Sequence, residues 1–377
     1  MTAIATSIVV CSRTASPRTR ATTRVKELPM FIRNNWYVAA WPHELTNDKP
    51  LARTLLGEPV VLYRQADGRA VALEDRCCHR SLPLSNGQLL ADRIQCGYHG
   101  LEYDCSGKCV KIPDQPLVPP AARVRSYPIV ERDQVVWIWM GEAEQAAPEK
   151  IVPYPWHNPD SGWAHRKQRY TIACNWELMN DNLMDLSHLG YVHKRTIGGN
   201  PEIHVNADMK VTRGEGTVKA VRWMLDSTPP PTYTKAVPTL GERVDRWQEI
   251  EFFTGLIRIY TGAVNVGQGA QQGNRDGGFG LRIFDGITPE TETTMHYFWS
   301  AAHCFDIDNP ATADLVYDQI DTTFQEDRQI LEWQQSRMNA DAPRWIDIRG
   351  DVAGIQVRRM IRERLAAEAG ERQVLAV

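Results

Sequence analysis

From about residue 31 to 141, short apolar runs alternate with turn residues, at 36–40, 60–63, 70–74, 100–103 and 135–140. Runs of that length, bounded by turn residues, predict the short strands of a small all-β domain. Ala146, Ala147 and Pro148 then open a stretch broken by Pro153, Pro155 and Pro159, which reads as a connecting segment. The expected division is a domain over 30–150 and a second over 151–377. The second part mixes strand-like runs at 249–260 and 294–301 with two helical patterns. Trp176, Met179, Leu183 and Leu186 form one apolar stripe; Val316, Ile320, Phe324 and Leu331 form another within 315–338. The fold class predicted is therefore α+β. A Gly-rich stretch at 267–280 is not set in a strand-Gly-rich-helix arrangement, so it predicts a mobile surface loop and not a phosphate cradle.

Length and composition narrow the function classes. At 377 residues the chain exceeds what one core usually serves, which agrees with two domains. A formal net charge of -3 gives no field to attract nucleic acid. No run of eighteen apolar residues predicts a membrane span, and eight cysteines are too sparse for a disulfide scaffold. A soluble cytoplasmic protein is expected. Residues 1–29 differ: Arg13, Arg18, Arg20, Arg24 and Lys26 lie among Ser, Thr and Ala, with no acid before Glu27. This composition fits a disordered basic tail or a start codon upstream of the natural one at Met30; a transit peptide is the alternative.

Chemistry concentrates first at Cys77-Cys78-His79-Arg80 and Cys96-Gly97-Tyr98-His99-Gly100, with sixteen residues from Arg80 to Gln95 between them. Each loop offers one thiolate and one imidazole. The donor set permits zinc or an iron-sulfur cluster. A zinc site usually pairs cysteine with cysteine and histidine with histidine, whereas here each loop can give one ligand of each kind to each of two irons. Cys78, Cys105 and Cys109 fall off the pattern and read as small buried hydrophobes.

The second concentration runs from Asn180 to His193. Asp185 and His188 lie three apart on one helix face, while His193, five residues on, would sit well round the cylinder. If both histidines bind one metal, the helix must bend or end near Gly190. An ordinary solvated helix face is the plain alternative. Against it stands Asp327, which falls on the apolar stripe between Phe324 and Leu331, where an ionised carboxylate is costly unless paired or bound to metal. Glu326 falls off that stripe. His188, His193 and Asp327 would make the two-histidine, one-carboxylate set of non-haem Fe(II) sites.

Cys-x-His followed by Cys-x-x-His, with Tyr103-Asp104-Cys105-Ser106-Gly107 after it, resembles the Rieske motif; Asp185-x-x-His188-x(4)-His193 with a distant Asp327 resembles the catalytic domain of Rieske non-haem iron oxygenases. The loop after His79 has no cysteine, unlike the respiratory type. Asn34-Asn35-Trp36-Tyr37-Val38-Ala39, Trp137-Ile138-Trp139 and Asn182-Leu183-Met184-Asp185 are similar to the vanillate O-demethylase, dicamba monooxygenase and toluenesulfonate methyl-monooxygenase group. The resemblance implies an N-terminal Rieske domain and a helix-grip, START-like catalytic domain with an antiparallel sheet. It implies a [2Fe-2S] cluster on Cys77, His79, Cys96 and His99, and mononuclear Fe(II) on His188, His193 and Asp327. Asp185 would be the electron bridge, accepting hydrogen bonds from His188 and from His99 of a neighbouring subunit in a homotrimer.

By the same resemblance the protein is an oxidoreductase of aromatic-compound catabolism, the terminal component of a monooxygenase that uses O2 to hydroxylate or O-demethylate an anionic aromatic substrate. NAD(P)H would act through a separate reductase or ferredoxin, since the chain has no nicotinamide or flavin fingerprint. Ring cis-dihydroxylation would use the same residues. A cluster acting only as an electron carrier leaves Asp327 without a role, and a zinc-stabilised binding module would need no redox activity. For the substrate pocket the candidates are Asn182 and His296, with Asp285, Arg258 and Arg282 as further polar groups.

Overall fold

The computed structural model describes residues 30–338 and 345–375, so the basic segment 1–29 lies outside the described residues. The first strands are β1 (Trp36–Ala40), β2 (Leu51–Leu55), β3 (Glu58–Arg64), β4 (Ala70–Glu74), β5 (Gln88–Leu90), β6 (Arg93–Gln95), β7 (Glu102–Tyr103), β8 (Cys109–Lys111), β9 (Ile129–Arg132) and β10 (Val135–Trp139). They form three small antiparallel sheets, ordered β1-β10-β9, β2-β3-β4 and β5-β6-β7-β8. β3 is buried on both faces, which explains its unbroken apolar run. Val60 and Leu62 face the main core, while Val61 and Tyr63 face a smaller core with Leu73, Leu84, Ile94 and Tyr103. Cys77 and Cys96 belong to that smaller core.

The second part is built on β11 (Ala164–Ile172), β12 (Asp208–Gly214), β13 (Thr217–Ser227), β14 (Val244–Phe253), β15 (Leu256–Asn265), β16 (Phe279–Pro289) and β17 (Met295–His303). These form one antiparallel sheet in the order β11-β17-β16-β15-β14-β13-β12. Its helices are α1 (Trp176–Met184), α2 (Leu189–Val192), α3 (Pro201–Val205), α4 (Pro231–Ala236), α5 (Pro310–Arg337) and α6 (Val352–Leu375). α5 crosses one face, where Val316, Ile320, Phe324 and Leu331 join the main core with Ile283, Tyr297 and Trp299. On the other face Trp36, Trp41, Trp137 and Trp139 pack against Leu256, Phe284 and Phe298. The middle of the sheet is thus covered on both sides, and every residue of β17 is buried.

Two sequence expectations change. The run at 249–260 is not one strand but the β14–β15 hairpin, turned at Gly255. That residue has φ +80°, and a Cβ there would stand 2.9 Å from the Tyr37 ring. The apolar pattern ran through the turn because both strands are buried. The Gly-rich stretch does form a loop between β15 and β16, but Arg275 ties it down: its guanidinium lies 4.7 Å from the Trp247 ring centroid and 2.8 Å from Glu249.

Candidate metal centres

The two Cys/His loops have matching backbone closures. Cys77 N–H donates to Leu82 C=O (2.9 Å) and Cys96 N–H to Leu101 C=O (2.8 Å); Ser81 N–H returns to Cys77 C=O and Gly100 N–H to Cys96 C=O. Each turn is completed by a residue at positive φ, Ser81 at 58° and Gly100 at 72°. The equal closures bring Cys77 and Cys96 together in the interior, and His79 and His99 together at the surface with ring centroids 4.6 Å apart. The Tyr103 hydroxyl lies 3.1 Å from both Cys77 Sγ and Cys78 Sγ, and burial raises its pKa, so it stays a neutral donor to sulfur. Cys109 is buried as expected, but Cys78 and Cys105 are exposed because they sit on the turn tips and not on inward strand positions.

His188, His193 and Asp327 also converge, with one ligand atom from each lying within 4.8 Å of the others. α1 starts at the Asn175 cap, whose side chain accepts from Glu177 N–H, and ends at Asp185. Asp185 takes an extended conformation, and its carboxylate accepts from Ser187 N–H (2.8 Å) and Ser187 Oγ (2.9 Å). The helix therefore breaks five residues before Gly190. Gly190 has another purpose: a Cβ there would come 2.3 Å from Pro201 Cα, so its bareness lets α3 pack close. After the break His188 closes a single turn and His193 ends α2, which turns both rings toward α5. Nε2 of His193 is 3.1 Å and Nε2 of His188 3.5 Å from Asp327 Oδ1.

Burial pushes the Asp327 carboxyl up, but hydrogen bonds and charge from His188 and His193 outweigh it and hold the group well below the usual carboxylate range. For His193, burial opposes the charged ring, while Asp327 and Glu326 together raise its pKa. Glu326 Oε2 lies 2.7 Å from His193 Nδ1, so the residue off the apolar stripe orients the ring from behind. His188 is oriented differently from expectation. Its Nδ1 bonds the backbone carbonyl of Asp185 at 2.6 Å, not the Asp185 carboxylate, which is occupied in capping the turn.

An apolar cavity lies against the triad, walled by residues such as Leu183, Leu186, Ile283, Ile320 and Phe324. Asn182 lines it, yet its Nδ2 donates to Asp327 Oδ1 at 3.0 Å, which makes it a support for the carboxylate. His296 does not line it. Its Nε2 bonds Thr54 C=O at 3.0 Å, and burial first, then Arg53, lowers its pKa to about 4. Asp285 is fully buried and takes the Tyr297 hydroxyl at 2.6 Å; burial pushes it up to about 8. Arg258 and Arg282 lie away from the cavity: Arg258 pairs with Glu251 (2.7 Å), and Arg282 lies 3.8 Å and 3.9 Å from the Trp156 and Tyr260 ring centroids. The polar wall residues that sequence reasoning missed include Arg246 and Gln248. They alternate with Trp247 on β14, a signal legible only once the strand's inward face is known.

The description "Rieske [2Fe-2S] domain" matches residues 35–128, and "Vanillate O-demethylase oxygenase C-terminal domain" matches 172–367. An iron-sulfur subunit of the toluene-4-sulfonate monooxygenase system of Comamonas testosteroni is 39% identical over 346 residues, covering 90% of this chain and 99% of that protein. The dicamba O-demethylase oxygenase component of Stenotrophomonas maltophilia is 35% identical over 349 residues, with 90% and 99% covered. Dicamba monooxygenase bound to 3,6-dichlorosalicylic acid superposes with a TM-score of 0.84 at 34% identity, covering 90% of this chain and 99% of that one. These matches span both metal-site regions, and the chain belongs to the Rieske non-haem iron oxygenases as an oxygenase component of the vanillate O-demethylase type, with a [2Fe-2S] cluster and a mononuclear iron as its cofactors.

Proposed function

We propose that this component hydroxylates or O-demethylates a small anionic aromatic substrate, drawing electrons from a separate reductase or ferredoxin. The observation that carries the reading is the His188, His193 and Asp327 triad at the wall of an apolar cavity inside the sheet-and-helix grip. Two imidazoles and one carboxylate fit a non-haem iron that keeps positions open, and two buried thiols beside two exposed imidazoles fit a Rieske cluster. When bound, these centres supply the redox chemistry that activates O2. The chain's own residues do the rest. Asp327 and His193 are preset by Asn182 and Glu326, the leucines and isoleucines of the cavity exclude water, and the Asp185 backbone carbonyl fixes the His188 ring.

With an aryl methyl ether, one oxygen atom of O2 enters a methyl C–H bond and the other leaves as water, using two electrons from the reductase and two protons. The resulting hemiacetal breaks its C–O bond to give phenol and formaldehyde. Purified protein with a surrogate reductase, NADH and a panel of aryl methyl ethers should release phenol and formaldehyde in equal amounts, in step with oxygen uptake. A cis-diol product would instead favour the dihydroxylating alternative and overturn the monooxygenase reading.

The same reading includes Cys77, His79, Cys96 and His99 as cluster ligands, Asp185 as the bridge, a homotrimer and a cytoplasmic location. Exposure of His79 and His99 leaves both rings free to meet a neighbouring subunit. Among the described residues no helix is long and apolar enough to cross a membrane. The strand-free stretch between β10 and β11 supports dividing the chain near residue 150. Glu326→Gln should keep a weaker acceptor for His193 Nδ1 and loosen mononuclear iron by about 10- to 100-fold. Iron retention under a chelator titration measures this, and wild-type retention would remove Glu326 from the site.

A further inference from the structure

We infer that Arg246 is the specificity-determining residue that receives the negative head of the substrate. The inference rests on the oxygenase reading for what the cavity is used for, and on Arg246's own surroundings for what the cavity binds. Arg246 lies on the helix-facing side of β14 and is 1% exposed. Its guanidinium is held from two sides. Nη2 donates to Ile197 C=O at 2.8 Å, and the group sits 5.0 Å from the centroid of the Tyr233 ring, itself stacked on Phe279. Nε and Nη1 are buried and have no partner.

The other buried arginines are treated differently. Arg53 pairs with Glu44 at 2.5 Å, and Arg222 donates to Gln248 Oε1 at 3.1 Å and to His204 C=O at 2.7 Å. Among the described residues no carboxylate stands within ion-pair distance of Arg246. Arginine does not shed its proton, so a buried guanidinium without a counter-charge is costly until an anion arrives. Arg246 lines the same cavity as His188, His193 and Asp327, and Asp327 is already committed to the two imidazoles and Asn182. The free Nε–H and Nη1–H lie on different edges of the guanidinium, and the second Nη2 proton completes with one of them a fork that matches two oxygens of a carboxylate or a sulfonate; an ammonium would not reproduce that fork. The apolar wall then takes the ring, and neutral analogues leave the two donors buried and unmet.

Calorimetric titration of the holoenzyme with 4-methoxybenzoate, toluene-4-sulfonate and the uncharged methyl 4-methoxybenzoate tests this directly. Wild type should bind the two anions on the order of 100-fold more tightly than the ester. R246Q should lose that preference by weakening the anions and leaving the ester unchanged, and R246K should retain part of it. Iron content and cluster absorbance report that each variant is folded; if R246Q loses either, R246K alone decides, with anion affinity equal to wild type overturning the inference. Ester binding as tight as anion binding in wild type, or anion binding unchanged in a folded R246Q, would also overturn it. Anions that bind through Arg246 but support no oxygen uptake would uphold the inference and sink the oxygenase reading of the site.

Discussion

Asp327→Ala is expected to release the mononuclear iron and abolish turnover while leaving the cluster in place. The carboxylate is the single anionic member of the triad, and three groups converge on it: His193, His188 and Asn182, at 3.1, 3.5 and 3.0 Å. Without it, only the two imidazoles are left as ligands, and His193 keeps Glu326 as its charged partner. Iron per chain should fall from about three atoms to about two, the two of the cluster. The cluster loops belong to a separate small core around Tyr63, Leu73 and Tyr103, so their visible absorbance should not change. The truncation removes a buried ionised group from a stripe whose other members, Val316, Ile320, Phe324 and Leu331, are apolar, so the helix has no reason to unfold. Iron quantification beside the visible spectrum separates the two centres. A variant that still carries about three irons would show that Asp327 is not a ligand.

The buried position of Asp327 was legible because helical periodicity reports which side chains share a face, and a carboxylate on the apolar face is an anomaly the sequence displays openly. Glu326 escaped because its role does not depend on burial. It reaches His193 from the flank of α5 with a side chain one-third exposed. Periodicity cannot mark a residue that acts through another residue. The same limit explains Asp185. Its carboxylate and His188 are three apart, which fits a contact on one helix face, but the chain leaves the helix at Asp185 and the ring meets the backbone carbonyl instead.

The predicted strands agree with the structure where a strand is apolar along nearly its whole length, as in β1, β10 and all of β4 but Glu74. β2, with Arg53 and Thr54 inside it, and β5, β6, β8 and β9, with Gln88, Arg93, Lys111 and Glu131, carry too much polarity to show as apolar runs; edge or hairpin pairing holds them in place. The substrate cavity was the least legible part. Its walls come from α1, α2, α4, α5, the strands β14, β15 and β16, and the turns at 186–188 and 193–197, so no local pattern links Arg246 to Asp327. His296 and Arg258 fall within the strand-like runs at 294–301 and 249–260, whereas Arg246 lies just outside both, and only the third dimension shows the side each one faces.

Asp185→Asn should leave both metal centres loaded and yet stop electrons from crossing between them. The substitution is nearly isosteric: the side-chain oxygen can still accept from Ser187 N–H, and the backbone carbonyl can still hold His188 Nδ1. Iron content and cluster absorbance should therefore match wild type. What disappears is a negative charge beside Arg222, whose pKa burial lowers to about 10 while Asp185 pulls it back up. Acceptor capacity also falls: Ser187 takes one lone pair on each carboxylate oxygen, and a second lone pair is what the proposed bridge would offer to an imidazole N–H from His99 of a neighbouring subunit. The carboxylate lies close under the backbone at Gly350, where a Cβ would stand 2.8 Å from Oδ1, so that segment shields part of the group and a partner must approach from the remaining side. Product formation should fall on the order of 100-fold, the upper end for loss of an outer hydrogen-bond partner of a metal-bound imidazole, here the cluster histidine of the proposed bridge. Stopped-flow mixing of reduced protein with O2 and substrate should show the cluster staying reduced while wild type reoxidises. Reoxidation at the wild-type rate in the variant would exclude Asp185 as the bridge, and the route would then have to run through the His188 ring and its backbone contact alone.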